Sequence, residues 1–237
     1  MTNRVFSDEE LEEMRTPTID LLTRAIDTAD GEKAKILAKR MYEEFLAMHD
    51  VYMNWTVVLM DYIYRNDGEE ALYQAMRQVF GAPRGKKKAS TQKPVTPQAN
   101  TKEAAFRSRV LGFVNALRGH LQPLKVEEDE EKVSITMEPC GSGQRLLEQG
   151  AYEPPRNLTM IQKPHPMTWG LTDFPVYCTH APILEILSIE GLGYPSMVAI
   201  PAEKVATKGC TWRIYKNAED IPEGFYTRVG KQKPKET

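Results

Sequence analysis

The chain is 237 residues long, 41% hydrophobic and 27% charged, with a formal net charge of −2 at pH 7. That length suffices for one large domain or a core with an appendage. The near balance of charge excludes a dedicated nucleic-acid binder, which concentrates a basic surplus on one face.

No apolar run reaches the roughly 18 residues that span a bilayer, so no membrane partner is expected. Charge is local: "PRGKKKASTQK" carries five bases and no acid, and "VEEDEEK" sets five acids against one base. Such runs are solvated linkers or turns. The N-terminal "MTNRVFSDEELEEM" has no apolar signal core and is acidic where a transit peptide is basic, so a cytoplasmic location is expected. Three cysteines, odd in number and widely spaced, make no disulfide framework. In a reducing compartment they are free, metal-bound or reactive.

Ser7 ahead of Asp8, Glu9 and Glu10 predicts an N-cap with a capping box, the Glu10 side chain returning to the cap N–H. The helix it opens is expected to run to about Ala29, interrupted near Thr16-Pro17, and Gly31 suits its C-cap. From Glu32 onward, Ala34, Ala38, Met41, Phe45, Met48, Tyr52, Trp55, Leu59 and Tyr62 alternate steps of four and three. That is one helical face sustained over four heptads. Unbroken to Arg65, the helix would be roughly 50 Å long. Its second half, "VYMNWTVVLMDYIY", is apolar nearly all round, which predicts a place in a core or in a homo-oligomer interface. After "RNDG" a short helix is expected over 69–79. Residues 81–100 hold three prolines and one large aliphatic residue, Val95, and read as a flexible basic linker.

The remainder opens with a helix at about 101–119, striped by Phe106, Val110, Phe113, Val114 and Leu117. The period then switches to two. "PLKVEE" and "KVSITME" alternate apolar and polar residues and form an antiparallel hairpin. A short helix over Gln144 to Glu148, a Pro-rich loop to about 176, a helix from Pro182 to about Glu190, and strands near 196–200 and 210–216 complete the reading. The expected fold is α+β: a helical domain over 1–80, the linker over 81–100, and a small-molecule or metal domain over 101–237 with an antiparallel sheet and packed helices.

The chemistry-bearing residues gather in that last domain. Cys140 precedes Gly141-Ser142-Gly143 and a helix start, where backbone N–H groups converge and would lower a thiol pKa. Arg145 could add positive charge for a substrate carboxylate; the bland reading is a tight turn with a spectator cysteine. Cys178 and His180 at i and i+2 share a side if the segment is extended. With His165, stiffened by Pro164 and Pro166, they could hold a divalent metal, zinc being the best match for sulfur and nitrogen donors, and Cys140 could be a fourth ligand. Alternatively His180 caps the following helix and His165 holds a loop carbonyl. Glu185, set in "ILEIL", is a candidate proton shuttle if partly buried, whereas Glu190 reads as structural. His49 lies on the margin of the long apolar stripe, as a packing residue or as a catalyst facing a cleft. Trp169 and Tyr177 could wall a substrate pocket or fill core. Cys210 shares a strand face with Trp212 and Ile214 and reads as a small hydrophobe, and His120 suits the negative end of a helix.

From Cys140 to Lys216, the order of strand, Cys, short helix, loop, Cys-containing segment and a late "GCTWRIYK" strand resembles the 2-amino-thiazoline-4-carboxylate hydrolase and 4-vinyl reductase-type small-molecule-binding domains. The late strand's Cys210, Trp212 and Ile214 carry the match. "PCGSGQRL", "PHPMTWG" and "YCTH" also resemble segments of uncharacterised bacterial proteins. The first resemblance implies a small-molecule pocket and hydrolysis of a C–N or C–S bond.

The leading expectation is a zinc-dependent hydrolase or lyase acting on a small carboxylated or heterocyclic molecule. His165, Cys178, His180 and Cys140 would surround the metal, Glu185 and His49 would stand as proton-transfer candidates, and Arg145 with the Gly141–Gly143 bend would hold an anionic group. Two alternatives stay open beside it: a non-catalytic sensor that oligomerises through the N-terminal helices, and a metal-free hydrolase with Cys140 as nucleophile.

Overall fold

A computed structural model describes residues 5–81 and 101–234. It separates into two compact units, Met1–Trp55 and Thr56–Thr237. The predicted linker lies, from residue 82 onward, outside the described residues. The boundary between units falls inside the long helix rather than at that linker, because the helix beyond residue 55 is tied to the α+β part.

In the first unit, α1 (Asp8–Arg15) begins at Ser7 with the predicted reciprocal cap: Glu10 N–H donates to Ser7 Oγ (3.2 Å) and Ser7 N–H to Glu10 Oε2 (2.7 Å). The chain breaks at Thr16-Pro17, as the proline requires, and α2 (Thr18–Asp27) follows. Gly31 does not cap α2. The left-handed residue is Ala29 (φ 55°), and Gly31 opens α3 (Gly31–Gly81), with Asp30 Oδ1 accepting from Lys33 N–H at 3.1 Å. Helix α2 is fastened to α3 by Thr18 Oγ1 donating to Glu44 (2.8 Å), and α1 by Arg40 pairing with Glu13 (2.9 Å).

In the second unit α3 continues to Gly81, and its one non-helical residue is Gly68 (φ 86°, ψ 179°). "RNDG" therefore produces the expected break, since a positive φ costs glycine nothing. Val57, Met60, Leu72 and Met76 are buried. The polar side of this stretch anchors a later loop: Asp61 accepts from Thr159 N–H (2.6 Å), Arg65 donates to Thr159 Oγ1 (3.1 Å) and to Asn157 O, and Lys163 pairs with Glu69 (2.6 Å).

Helix α4 (Lys102–Arg118) starts at a Thr101 cap. The hairpin β1 (Leu124–Glu128) and β2 (Lys132–Met137) follows in the register Leu124↔Met137 to Glu128↔Val133. Then come α5 (Gly143–Glu148), a two-stranded ribbon of β3 (Met160–Ile161) with β4 (Phe174–Pro175), α6 (His180–Leu192), β5 (Val198–Ile200), β6 (Thr211–Tyr215) and α7 (Gly224–Thr227). The main sheet is antiparallel in the order β1-β2-β6-β5, so the α+β reading holds. Alternation decides which face is core. Val133, Ile135 and Met137 are buried while their neighbours are not, and Ile135 and Val133 stand opposite Trp212 and Ile214 of β6. Each buried side chain of this size contributes about 1.5–3 kcal/mol. Helix α4 meets the sheet through Phe113 and Trp212, whose rings stand edge to face with centroids 5.2 Å apart.

Glu190 is structural, as expected. Arg77 grips both of its oxygens (3.0 and 2.7 Å) and Lys231 adds a third contact at 2.7 Å. These bonds, Arg77 first, hold its carboxyl at about 2. Among the described residues no helix is long and apolar enough to cross a membrane.

Candidate functional site

Between the second-unit stretch of α3, the end of α4, the ends of β2 and β6, α5 and the start of α6, the second unit forms a cavity of about 250 Å³. Its wall is largely apolar, with Met60, Leu117, Met137, Trp169, Ala181 and Trp212 among the contributors. All three cysteines reach it, together with His120, His180, Ser142 and Tyr177. Among the described residues no carboxylate lines it, and one lysine, Lys208, does.

Each of these groups arrives by a local rule. Cys140 sits just past β2, and its N–H donates to Gln144 Oε1 (3.0 Å), closing the glycine-rich bend on itself. Gly143 opens α5 where any side chain would press on Cys178: a Cβ there would stand 3.0 Å from Cys178 Sγ. Cys210 precedes β6. The register Thr136↔Thr211, extended by one step, brings it across from Met137. Its neighbour Gly209 packs against β2 so closely that a Cβ would overlap the Met137 carbonyl oxygen. Burial raises the Cys178 thiol well above its ordinary pKa, and the nearby Cys210 and Cys140 raise it further. Burial likewise pushes Cys210 up to about 12, with Cys140 and Glu185 adding to the shift. These two thiols are therefore protonated at neutral pH.

His180 occupies the first turn of α6. Its Nδ1 lies 2.8 Å from the Tyr177 carbonyl. A carbonyl only accepts, so Nδ1 carries the hydrogen and Nε2 is left as an acceptor. Burial lowers the imidazole pKa, against a smaller upward pull from that hydrogen bond. The ring is thus neutral. Tyr177 is pushed up to about 12 by burial, although its hydrogen bond with Ser142 acts downward. Ser142 Oγ also lies 3.3 Å from His120 Nδ1, and His120 lies against Gly141, whose Cβ position would be 3.3 Å from His120 Cβ.

The expected donor set is rearranged. Cys178 and His180 both face the cavity, but not because the segment is extended: Val176–Thr179 is a 3₁₀ helix that runs into α6. His165 is absent from the cavity wall. It caps the 3₁₀ turn Pro166–Thr168, its Nδ1 accepting from Met167 N–H (3.1 Å), and its ring packs edge-on against Tyr73 at 5.4 Å. Among the described residues no three His, Cys, Asp or Glu side chains form a group that could hold a metal ion. The predicted ring of His165, Cys178, His180 and Cys140 is therefore not assembled, because one imidazole is spent on a loop cap.

Glu185 is the centre of a buried hydrogen-bond node. It is fully buried and outside the cavity wall. Oε1 accepts from Ala199 N–H (2.7 Å) and Arg228 Nη2 (2.6 Å); Oε2 accepts from Trp169 Nε1 (2.9 Å) and Arg228 Nε (3.2 Å). Four donors fill the lone pairs of a carboxylate. Burial raises its pKa while Arg228 pulls it down. The Arg228 guanidinium is in turn stacked between Trp169 and Phe225, 4.8 and 4.6 Å from their centroids. The node joins α6, β5 and the C-terminal α7, and it orients Trp169 at the cavity wall.

His49 belongs to the first unit, beside Asp50 (3.5 Å) and Phe45, and Arg145 and Gly141 lie outside the wall. Sequence reading took Cys210 and His120 as structural, and both reach the cavity. The signal for Cys210 was available in strand pairing, since β6 read antiparallel to β2 sets "GC" against "MEPC". His120 needed the α4-to-β1 turn, with Leu121 at φ 53°, which no periodicity announces.

No family model, curated protein or solved structure matches the chain. Fold and site define an α+β unit built around a cavity of small-molecule size.

Proposed function

We propose that the second unit binds a compact, ring-containing small molecule in the thiol-lined cavity. The 250 Å³ cavity with its apolar wall carries this reading. An apolar cavity of about 150 Å³ already holds benzene, and ligand pockets start at roughly 300 Å³, so the occupant is one ring with substituents. Trp169, Trp212 and Tyr177 offer flat faces, while His180 Nε2 and the Ser142–His120 pair offer polar anchors. Calorimetric titration with single-ring compounds, including 2-amino-thiazoline-4-carboxylate, tests it. At least one should bind with Kd below about 1 mM, and Ala181→Leu, which fills the cavity from α6, should abolish binding while the far-ultraviolet circular dichroism is kept. If no compound of the panel binds, the reading fails.

A second reading is hydrolase or lyase chemistry on a C–N or C–S bond of that molecule, favoured by Cys140 and His120 meeting the same cavity beside Ser142. Cys140 would be the nucleophile and His120 its base. Among the described residues no three His, Cys, Asp or Glu side chains gather as metal ligands, and here the thiol and the imidazole would carry the chemistry. Loss of turnover in Cys140→Ser with ligand affinity retained supports this chemistry, and unchanged turnover refutes it.

A further inference from the structure

The outer face of α3 in the first unit is apolar and uncovered. Met41 is 38% exposed, Tyr42 36%, Met48 53%, Val51 44%, Tyr52 57% and Trp55 64%. Leu37, at the same helical angle as Trp55 because 18 residues make five turns, is buried at 4%, so this stripe is covered near the start of the helix and largely bare from Met41 to Trp55. An amphipathic surface helix does not look like this.

We infer that this face is the seam of a two-fold homodimer, occupied by α3 of a second copy. Two observations favour a copy over an unrelated partner. The first is spacing: Met41, Phe45, Met48, Tyr52 and Trp55 alternate steps of four and three. That is a repeat of 3.5 residues, and the surface that meshes with it is a helix of the same repeat. An isologous pairing supplies one with no further requirement on sequence. The second is area. Aromatic side chains carry about 150–250 Å² each and aliphatic ones somewhat less, so the exposed fractions leave on the order of 600 Å² of apolar surface. That is the upper end of what a monomer shows, about 300–600 Å². Doubled, it reaches about 1,200 Å², the threshold of a specific interface. Tyr, Trp and Met are also the residues enriched where interfaces are tightest. Tyr52 and Trp55 already stand edge to face at 6.0 Å, which gives the seam a preformed aromatic centre.

The test is sedimentation equilibrium on the full chain, between about 1 and 100 µM. The expected mass is twice the 26.9 kDa of one chain. Tyr52→Lys with Trp55→Glu should weaken association by at least about 100-fold, as loss of two anchor residues does, with the circular dichroism unchanged because both side chains are exposed. Met14→Glu, 60% exposed on α1, should leave the dimer intact. A wild-type chain that stays monomeric at 100 µM overturns the inference. So does a dimer that survives the double substitution. A monomer that sediments with phosphatidylglycerol vesicles would assign the face to a lipid surface and overturn it too. Cavity binding is read separately, so neither result bears on the proposed function.

Discussion

Glu185→Leu should be among the most damaging single substitutions in this chain. It removes the acceptor of four hydrogen bonds and leaves the Arg228 guanidinium, whose side chain is 17% exposed, without its counter-ion. Removing one partner of a buried pair costs about 3–5 kcal/mol, and the orphaned Ala199 N–H and Trp169 indole N–H each add up to about 1–3 kcal/mol where no water reaches them. Against a total stability of about 5–15 kcal/mol, the variant should be marginally folded at 25 °C. Glu185→Gln is the sharper comparison. It keeps shape but turns an NH₂ toward donors, so a loss of about 2 kcal/mol or more is expected. Urea unfolding followed by tryptophan fluorescence measures both. A double-mutant cycle with Arg228→Met separates pair from context: the two single losses should exceed the double loss by at least about 1 kcal/mol. If Glu185→Gln unfolds at the wild-type urea concentration, the carboxylate is not holding the structure, and a chemical role for it returns.

Other outcomes follow from the same geometry. Gly209→Ala should cost about 2–3 kcal/mol or prevent folding, because the new methyl meets the Met137 backbone rather than a side chain that can rotate. Gly112→Ala, in the middle of α4 with nothing within 4 Å, should instead stabilise by about 0.5–1 kcal/mol; thermal melts distinguish the two. His180 has a depressed folded pKa, so its contribution is present above the unfolded value of about 6.5 and is lost as pH falls below it, at up to about 1.4 kcal/mol per pH unit. His180→Gln should flatten the melting temperature between pH 7 and 5, and an unchanged slope would count against a buried neutral imidazole. The Cys178 and Cys210 thiols, both raised by burial, should react with an aromatic disulfide reagent at pH 8 more slowly in the folded protein than in 6 M guanidinium, where all three thiols should react together.

Period and punctuation made much of the fold readable. Ser7 with Glu10, the break at Thr16-Pro17, the kink at Gly68 and the β1–β2 hairpin all follow from local rules, and local rules act within a few residues. The unit boundary inside α3 was not readable, because it depends on which later segments dock on Asp61, Arg65 and Glu69. The site shows the same division. Cys140, Cys178, His180, Trp169 and Tyr177 were singled out by residue type and do share one cavity. His165 was drawn in by its prolines, although its ring serves a 3₁₀ cap. The extended geometry assumed for "YCTH" failed because Pro175 leads into a helical turn. Cys210 looked inert because a strand face shared with Trp212 implies packing, and in this protein that face is also the wall of the cavity.

Sulfur supplies six of the groups around that cavity: Met60, Met76, Met137, Cys140, Cys178 and Cys210. Thioethers are flexible and polarisable, so this wall can change its outline more readily than one built of branched side chains. They also age. Peroxide would turn each thioether into a polar sulfoxide, so oxidative damage should register first as a chamber that admits water, before the surrounding sheet begins to melt.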